Sequence, residues 1–141
     1  MVIKTYIKDL VIPKKENLLN NLIYSILISE ETFIEHPLEI EAGKLSIKKI
    51  IDNAFILLKE LKINPEEIGL ENVKNDIKDY STTNPDMDLE VYFYTIRNSI
   101  KHLIKFQQNI SELKTHLFKI IMTLFLFVEF LNYNIDDILV L

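Results

Sequence analysis

The hydrophobic positions of this chain recur at the spacing of amphipathic helices over most of its length. Between Leu18 and Leu27, leucines and isoleucines recur at intervals of three and four residues, which places them on one face of a helix. Similar stripes recur further along the chain, and the stripe after Pro65 is the weakest. The helices that these stripes predict cover residues 17–35, 44–62, 65–80, 88–107 and 111–132.

Two segments lie largely outside the predicted helices. Residues 1–16 form an N-terminal segment with a short start over 2–12, extended in one interpretation, that ends at Pro13 because proline lacks a backbone donor. Residues 79–88, DYSTTNPDMD, collect turn-forming residues without periodicity. This composition predicts an internal loop.

Two helix starts share one capping pattern. Asn64 stands before Pro65 and Glu67, where a cap, a first helical residue and a first-turn acid are expected. Asn134 with Asp137 repeats this arrangement and predicts a short last helix. We therefore predict an all-α fold, an antiparallel bundle of four principal helices plus a short extra one, as a single domain over residues 1–141.

A shift of 70 residues aligns two segments of the chain. Residues 49–68 and 119–138 are identical at seven aligned positions, among them phenylalanine 55/125 and asparagine 64/134. One interpretation is a repeated helical hairpin. The other is chance similarity, because two amphipathic helices rich in Ile, Leu, Lys and Asn match at some positions in any alignment.

Composition narrows the classes of protein. With 48% hydrophobic residues, two glycines and four prolines, the chain is not of a disordered type. It contains no cysteine, so disulfides, thiol nucleophiles and thiolate metal sites are excluded. Sixteen Lys and Arg against twenty-one Asp and Glu give a net charge of −5, so any nucleic-acid binding must depend on a local cluster of positive charge.

The most apolar run does not predict a membrane span. It extends from Ile120 to Val128 between Lys119 and Glu129, and a transmembrane helix needs roughly 20 apolar residues. Charged residues also interrupt the N-terminal segment, unlike the continuous run of a signal peptide. We expect a cytoplasmic protein that makes no membrane contact.

The candidate chemistry is concentrated in the run YTIRNSIKHLIKF. It holds Arg97, which is the one arginine of the chain beside fifteen lysines, followed by Asn98 and, five positions after the arginine, His102. Arginine binds phosphate through a planar fork of donors, and histidine titrates near neutrality. On one helix Arg97 and His102 lie roughly 140° apart, whereas Asn98 and His102 share a face.

This Arg-Asn-x-x-x-His run resembles the R-x(4–6)-H motif of HEPN domains, which are compact all-α proteins. The resemblance implies a metal-independent ribonuclease or RNA-binding protein of a toxin–antitoxin or phage-defence type. It assigns proton transfer to His102, phosphate stabilisation to Arg97 and an orienting role to Asn98. Ile104 departs from the pattern, because many toxin-type members carry Tyr there.

The family resemblance also implies a homodimer whose groove brings two motifs to one phosphate. Near the motif, Lys101 and Lys105 supply positive charge and Tyr94 supplies an aromatic ring, a combination that can hold single-stranded RNA. The alternative is a solvated strip of lysines beside core aromatic residues.

Two other functions remain open. The first is a non-catalytic interaction protein, of an immunity, antitoxin or adaptor type, whose acidic surface binds a basic partner. The second is a degenerate MazG-like nucleotide pyrophosphatase, suggested by Glu30, Glu31 and Glu35. Its magnesium cage is incomplete, since the later ExxD of that family is replaced by Lys49 and Asp52. We expect no metal and no cofactor.

Overall fold

The computed structural model describes residues 2–10, 17–64 and 89–141, and every element assigned in them is an α-helix. Four of these helices are long, which confirms the all-α prediction. The predicted helix 65–80 and loop 79–88 lie outside the described residues. The helices are α1 (Val2–Asp9), α2 (Leu18–Glu35), α3 (Ile40–Glu60), α4 (Leu89–Lys105), α5 (Ile110–Phe130) and α6 (Ile135–Leu139).

Packing sets the start of α3, which begins at Ile40, four residues before the predicted start. Gly43 is buried inside its first turns. A Cβ atom at this position would lie 3.0 Å from Cζ of Phe33 on α2. The absent side chain therefore lets α2 and α3 approach closely, and this contact outweighs the low helix propensity of glycine.

The N-terminal segment is helical over Val2–Asp9, so its extended interpretation is wrong there. The Tyr6 ring packs edge-on against Phe55 of α3, with centroids 6.3 Å apart. The Lys59 ammonium of α3 donates a hydrogen bond of 2.9 Å to the Leu10 carbonyl, which satisfies a backbone acceptor just past the helix end. These tertiary contacts hold a short helix that would be marginal in isolation.

The short last helix is confirmed, and its cap is the predicted asparagine. The Asn134 side chain accepts a hydrogen bond of 3.0 Å from the backbone N–H of Asp136. Asn109 caps α5 in a similar way, accepting from the N–H of Glu112 at 3.2 Å. Each asparagine satisfies a donor that the first helical turn leaves unpaired.

The structure contains two helical hairpins, α2–α3 and α4–α5, whose bounds are related by the 70-residue shift. The α3 bounds, 40 and 60, become the α5 bounds, 110 and 130, on adding 70. The ends of α2 and α4, at 35 and 105, have the same offset. The backbone thus repeats in regions where the side chains mostly differ.

The backbone hydrogen bonds at the ends of the hairpins repeat with the same offset. The N–H of Ile63 bonds the Leu58 carbonyl at 3.0 Å, and that of Tyr133 bonds the Val128 carbonyl at 3.0 Å. The preceding residues, Lys62 and Asn132, have φ of 58° and 60°. Both long helices therefore end in the left-handed Schellman turn.

The two hairpins pack so that equivalent helices meet. Helix α2 contacts α4, and α3 contacts α5. The core lies between the hairpins, where the rings of Phe33, Phe93 and Phe127 have centroids 5.1 to 5.7 Å apart. This arrangement leaves one side of α2 and one side of α4 facing outward, next to each other.

Candidate nucleic-acid interface

All six candidate residues lie on the outward side of α4. At 100° per residue, Arg97 and His102 mark the two edges of a 140° arc, and the other four fall between them. His102 is partly buried and the other five residues are exposed. We call this surface the α4 strip, which consists of Tyr94, Arg97, Asn98, Lys101, His102 and Lys105.

Arg97 forms the edge of the α4 strip next to α2. Its Nε lies 3.1 Å from a carboxylate oxygen of Glu30, whose side chain is 15% exposed while that of Arg97 is 52% exposed. Engaging Nε orients the guanidinium and leaves the donors of its two terminal nitrogens for another acceptor. Glu30 is thus a positioning partner that sequence reasoning placed only in an acidic cluster.

A groove of about 530 Å³ runs beside this ion pair, between α2 and the first half of α4. Its walls include Ile34 from α2 and Phe93 from α4, and Tyr94 and Arg97 also line it. The groove therefore joins apolar surface to an aromatic ring and a guanidinium, which suits a ligand with a planar apolar part and an anionic part.

His102 forms the opposite edge of the strip, against α5. Its ring stacks on the ring of His116, with centroids 4.5 Å apart and an angle of 3° between planes. The Phe106 ring lies parallel to both, 6.2 Å from His102 and 6.0 Å from His116. The motif alone does not reveal this partner, because His116 lies on α5.

The surroundings of the His116 ring disfavour its charged form. Its Nδ1 is buried without a hydrogen-bond partner, and Nε2 lies 3.7 Å from a Glu112 carboxylate oxygen. Burial lowers the pKa of His116, the neighbouring His102 and Lys119 lower it further, and Glu112 partly opposes them. Stacked imidazoles cannot both become charged without strong repulsion.

Within one copy of the chain, the catalytic pair predicted from the resemblance is divided. Arg97 pairs with α2 through Glu30, and His102 stacks on α5 through His116. Asn98 lies between them on the exposed surface. The α4 strip therefore brings the candidate residues onto one surface but does not focus Arg97 and His102 on one point.

The acidic residues considered for a magnesium site are dispersed. Glu30 is engaged by Arg97, whereas Glu31 and Glu35 are exposed. Asp52 pairs with Lys48 at 3.1 Å, and burial raises its pKa to about 6. Across the described ranges, no three His, Asp or Glu side chains come close enough to hold a metal ion together.

Two further findings on the chain are negative. Among the helices of the described residues, none combines the length and the apolar character that crossing a membrane requires. Comparison of the chain with protein-family models, with curated proteins and with solved structures finds no match. Function is therefore inferred from the α4 strip and its surroundings.

Proposed function

We propose that this protein binds single-stranded RNA along the α4 strip, as a HEPN-like RNA-binding protein. The observation that supports the proposal is the composition of this surface. Arg97, Lys101 and Lys105 project at intervals of four residues from a chain with net charge −5. This local positive charge is aligned along one helix and faces outward.

The spacing of the three cations suits a nucleic-acid backbone. Residues four apart on a helix are separated by about 6 Å along its axis, so the cations follow one line at regular intervals. Tyr94, 67% exposed, stands at the start of this line. Phosphates would bind the cations while a base stacks on the tyrosine ring, the combination typical of single-strand binding without strict sequence preference.

Binding is the part of the proposal that the contacts favour over cleavage. Cleavage needs the acid–base group and the phosphate-stabilising group around one phosphate. In one copy Arg97 contacts Glu30 and His102 stacks on His116. We therefore assign phosphate contact to Arg97 and leave the ribonuclease implied by the resemblance to a separate assay.

The binding assay is fluorescence anisotropy with a short labelled single-stranded RNA. Replacing Lys101 and Lys105 by Glu should weaken binding about tenfold or more and lower its salt dependence, because phosphate contacts are lost. The matched control replaces Lys49 and Lys119, which are exposed on α3 and α5, and should bind nearly as tightly as wild type. Equal losses in both variants would contradict a site on α4.

The cleavage assay follows the same RNA on a denaturing gel without added metal. We expect intact RNA from a single copy, since its Arg97 and His102 do not converge. RNA cleaved by the wild type but not by His102→Ala would replace the binding proposal with the ribonuclease. His36→Ala, on an exposed histidine of the α2–α3 turn, is the matched control.

A second candidate function is a protein-interaction module, favoured by the outward side of α2. Tyr24, Leu27 and Ile34 are 66%, 47% and 64% exposed there. Glu31 and Glu35 lie beside them, also exposed. A surface of this composition suits a partner that presents apolar and basic side chains together.

A further inference from the structure

The outward sides of α2 and α4 occupy equivalent positions of the two hairpins. We call the first of them the α2 strip. Adding 70 to its positions gives five members of the α4 strip and Ile104 in place of His102. The α2 strip consists of Tyr24, Leu27, Ile28, Glu31, Ile34 and Glu35.

Two of the four apolar positions of the α2 strip stay apolar after this shift, and both of its acidic positions become basic. Tyr24 corresponds to Tyr94, and Ile34 to Ile104, which are 67% and 51% exposed. Glu31 corresponds to Lys101 and Glu35 to Lys105. At these two positions the α2 strip is thus the charge complement of the α4 strip.

Within the described residues, these charges have no partner of opposite charge. Inside the described ranges, Glu31, Glu35 and Lys101 form no ion pair. Lys105 lies over the Phe106 ring, 5.2 Å from its centroid. Both pairs have the i, i+4 spacing, so two carboxylates can meet two ammonium groups whether the helices run parallel or antiparallel.

The position of the two strips allows a closed pair of molecules. Helices α2 and α4 are in contact and are bridged by Arg97 and Glu30, so the strips lie side by side on one surface. A two-fold axis that lies in the interface and runs along the helices, midway between α2 and α4, places the α2 strip of each copy over the α4 strip of the other. Such an isologous interface buries both strips and leaves no open end for further growth.

We propose that a second copy of this chain docks here, with the α2 strip of each copy against the α4 strip of its partner. The ion pairs would join Glu31 and Glu35 to Lys101 and Lys105 across the interface. The equivalent tyrosines and isoleucines supply its apolar contacts. In this dimer, the partner with apolar and basic side chains that the α2 strip suits is a second copy of the same protein.

One consequence rests on the proposed RNA function. Docking covers the α4 strip, so RNA and the second copy compete for Lys101 and Lys105. RNA should therefore dissociate the dimer, and binding should be tightest at protein concentrations where the monomer predominates.

The decisive test is a charge exchange read by sedimentation equilibrium. Glu31→Lys with Glu35→Lys makes both strips basic, and Lys101→Glu with Lys105→Glu makes both acidic. Each variant alone should dimerise about a hundredfold more weakly than wild type, because like charges meet in the interface. An equimolar mixture of the two should form a heterodimer, and the chain carrying all four changes should dimerise again.

Circular dichroism checks that each variant is folded. We expect that they are, because the substituted side chains are exposed. Lys49→Glu with Lys119→Glu changes the charge equally and should leave the dimer intact. A monomeric wild type, a dimer that survives both single-strip variants, or a mixture that does not associate would each overturn the proposal.

The RNA assay separates this proposal from the proposed function. The Glu31→Lys, Glu35→Lys variant keeps the α4 strip and should bind RNA at least as tightly as wild type. If no variant binds RNA while the charge exchange restores the dimer, the RNA function fails and the dimer stands. If RNA binds and the charge exchange does not restore the dimer, the dimer proposal fails and the RNA function stands.

Discussion

The two hairpins have helix bounds that repeat with an offset of 70 residues, but different side chains fill the contact between their two helices. In the first, Gly43 and Ser46 face α2, and Ser46 Oγ lies 2.9 Å from Ser29 Oγ. In the second, Leu113 and His116 occupy the equivalent positions of α5. Small residues bring α2 and α3 close, whereas α4 and α5 meet through stacked imidazoles. Two hairpins with equivalent helix bounds can therefore have small residues without titratable groups between the helices in one half and two stacked histidines in the other.

Among substitutions at equivalent positions of the two hairpins, the largest loss of stability is expected at Phe127. Its ring contacts Phe33, Tyr92 and Phe93. Phe127→Ala should lower the free energy of unfolding by about 4 kcal/mol, because it leaves a cavity and removes three aromatic contacts. The matched variant Leu57→Ala, at the equivalent position of α3, should cost about 2 to 3 kcal/mol. Urea denaturation measures both, and an equal cost would show that the core does not depend on the aromatic cluster.

A smaller loss of stability is expected at the Ser29–Ser46 contact between α2 and α3. Ser46 Oγ donates to the Gly43 carbonyl at 2.7 Å, so the Ser29 hydroxyl donates to Ser46. Ser46→Ala should cost about 1 to 2 kcal/mol by leaving the buried Ser29 hydroxyl without its acceptor. Ser99→Ala, at the position equivalent to Ser29, should cost less than about 1 kcal/mol, because Ser99 bonds only within its own helix.

A double-mutant cycle tests whether Ser29 and Ser46 are coupled, and it needs the variant that carries both Ser29→Ala and Ser46→Ala. It should cost less than the sum of the two single changes, because no hydroxyl is left unpaired. Additive costs in thermal or urea unfolding would contradict a coupled pair.

The smallest effect, a change in pH dependence, concerns His116. Its pKa is lowered in the folded protein, so the unfolded chain binds more protons once the pH falls below about 6.5. Acidification from that pH toward the lowered folded pKa should therefore reduce the stability. His116→Phe keeps a ring in the stack and removes the titration, so its stability should fall less over this window.

Asp52 acts in the opposite direction and serves as the control. Its pKa is raised to about 6, so the folded protein binds more protons than the unfolded chain between that pH and about 4. Its contribution to stability is present at low pH and is lost as the pH rises through about 6. Asp52→Asn should therefore increase the loss of stability on acidification, whereas His116→Phe should decrease it. If neither variant changes how the free energy of unfolding depends on pH, both assignments are contradicted.

Much of the fold was predictable from local patterns. The predicted helix 17–35 matches Leu18–Glu35 to within one residue, and the cap at Asn134 is observed. The signals for these elements lie within one or two turns of chain, which makes them readable without tertiary information. The helix at Val2–Asp9 has a local signal as well, since Ile3, Ile7 and Leu10 recur at intervals of four and three residues. The extended interpretation missed this spacing, and contacts with α3 and α6 stabilise the helix.

The candidate surface was predictable only in part. Helical geometry alone orders Arg97, Asn98 and His102 around one helix, with the first and last at the edges of an arc. It does not reveal that Glu30 engages the arginine or that His116 covers the histidine. Those partners come from α2 and α5, far away in the sequence.

The amino-acid sequence by itself determined the long helices, their capping residues and the composition of each outward side. These follow from hydrogen bonds and side-chain spacing within a few residues. Only the tertiary structure decided which sides meet, that the hairpins repeat, and that Arg97 and His102 contact different neighbours. The physical reason is that helix pairing depends on how side chains of distant segments fit together, as the missing Cβ of Gly43 against Phe33 illustrates.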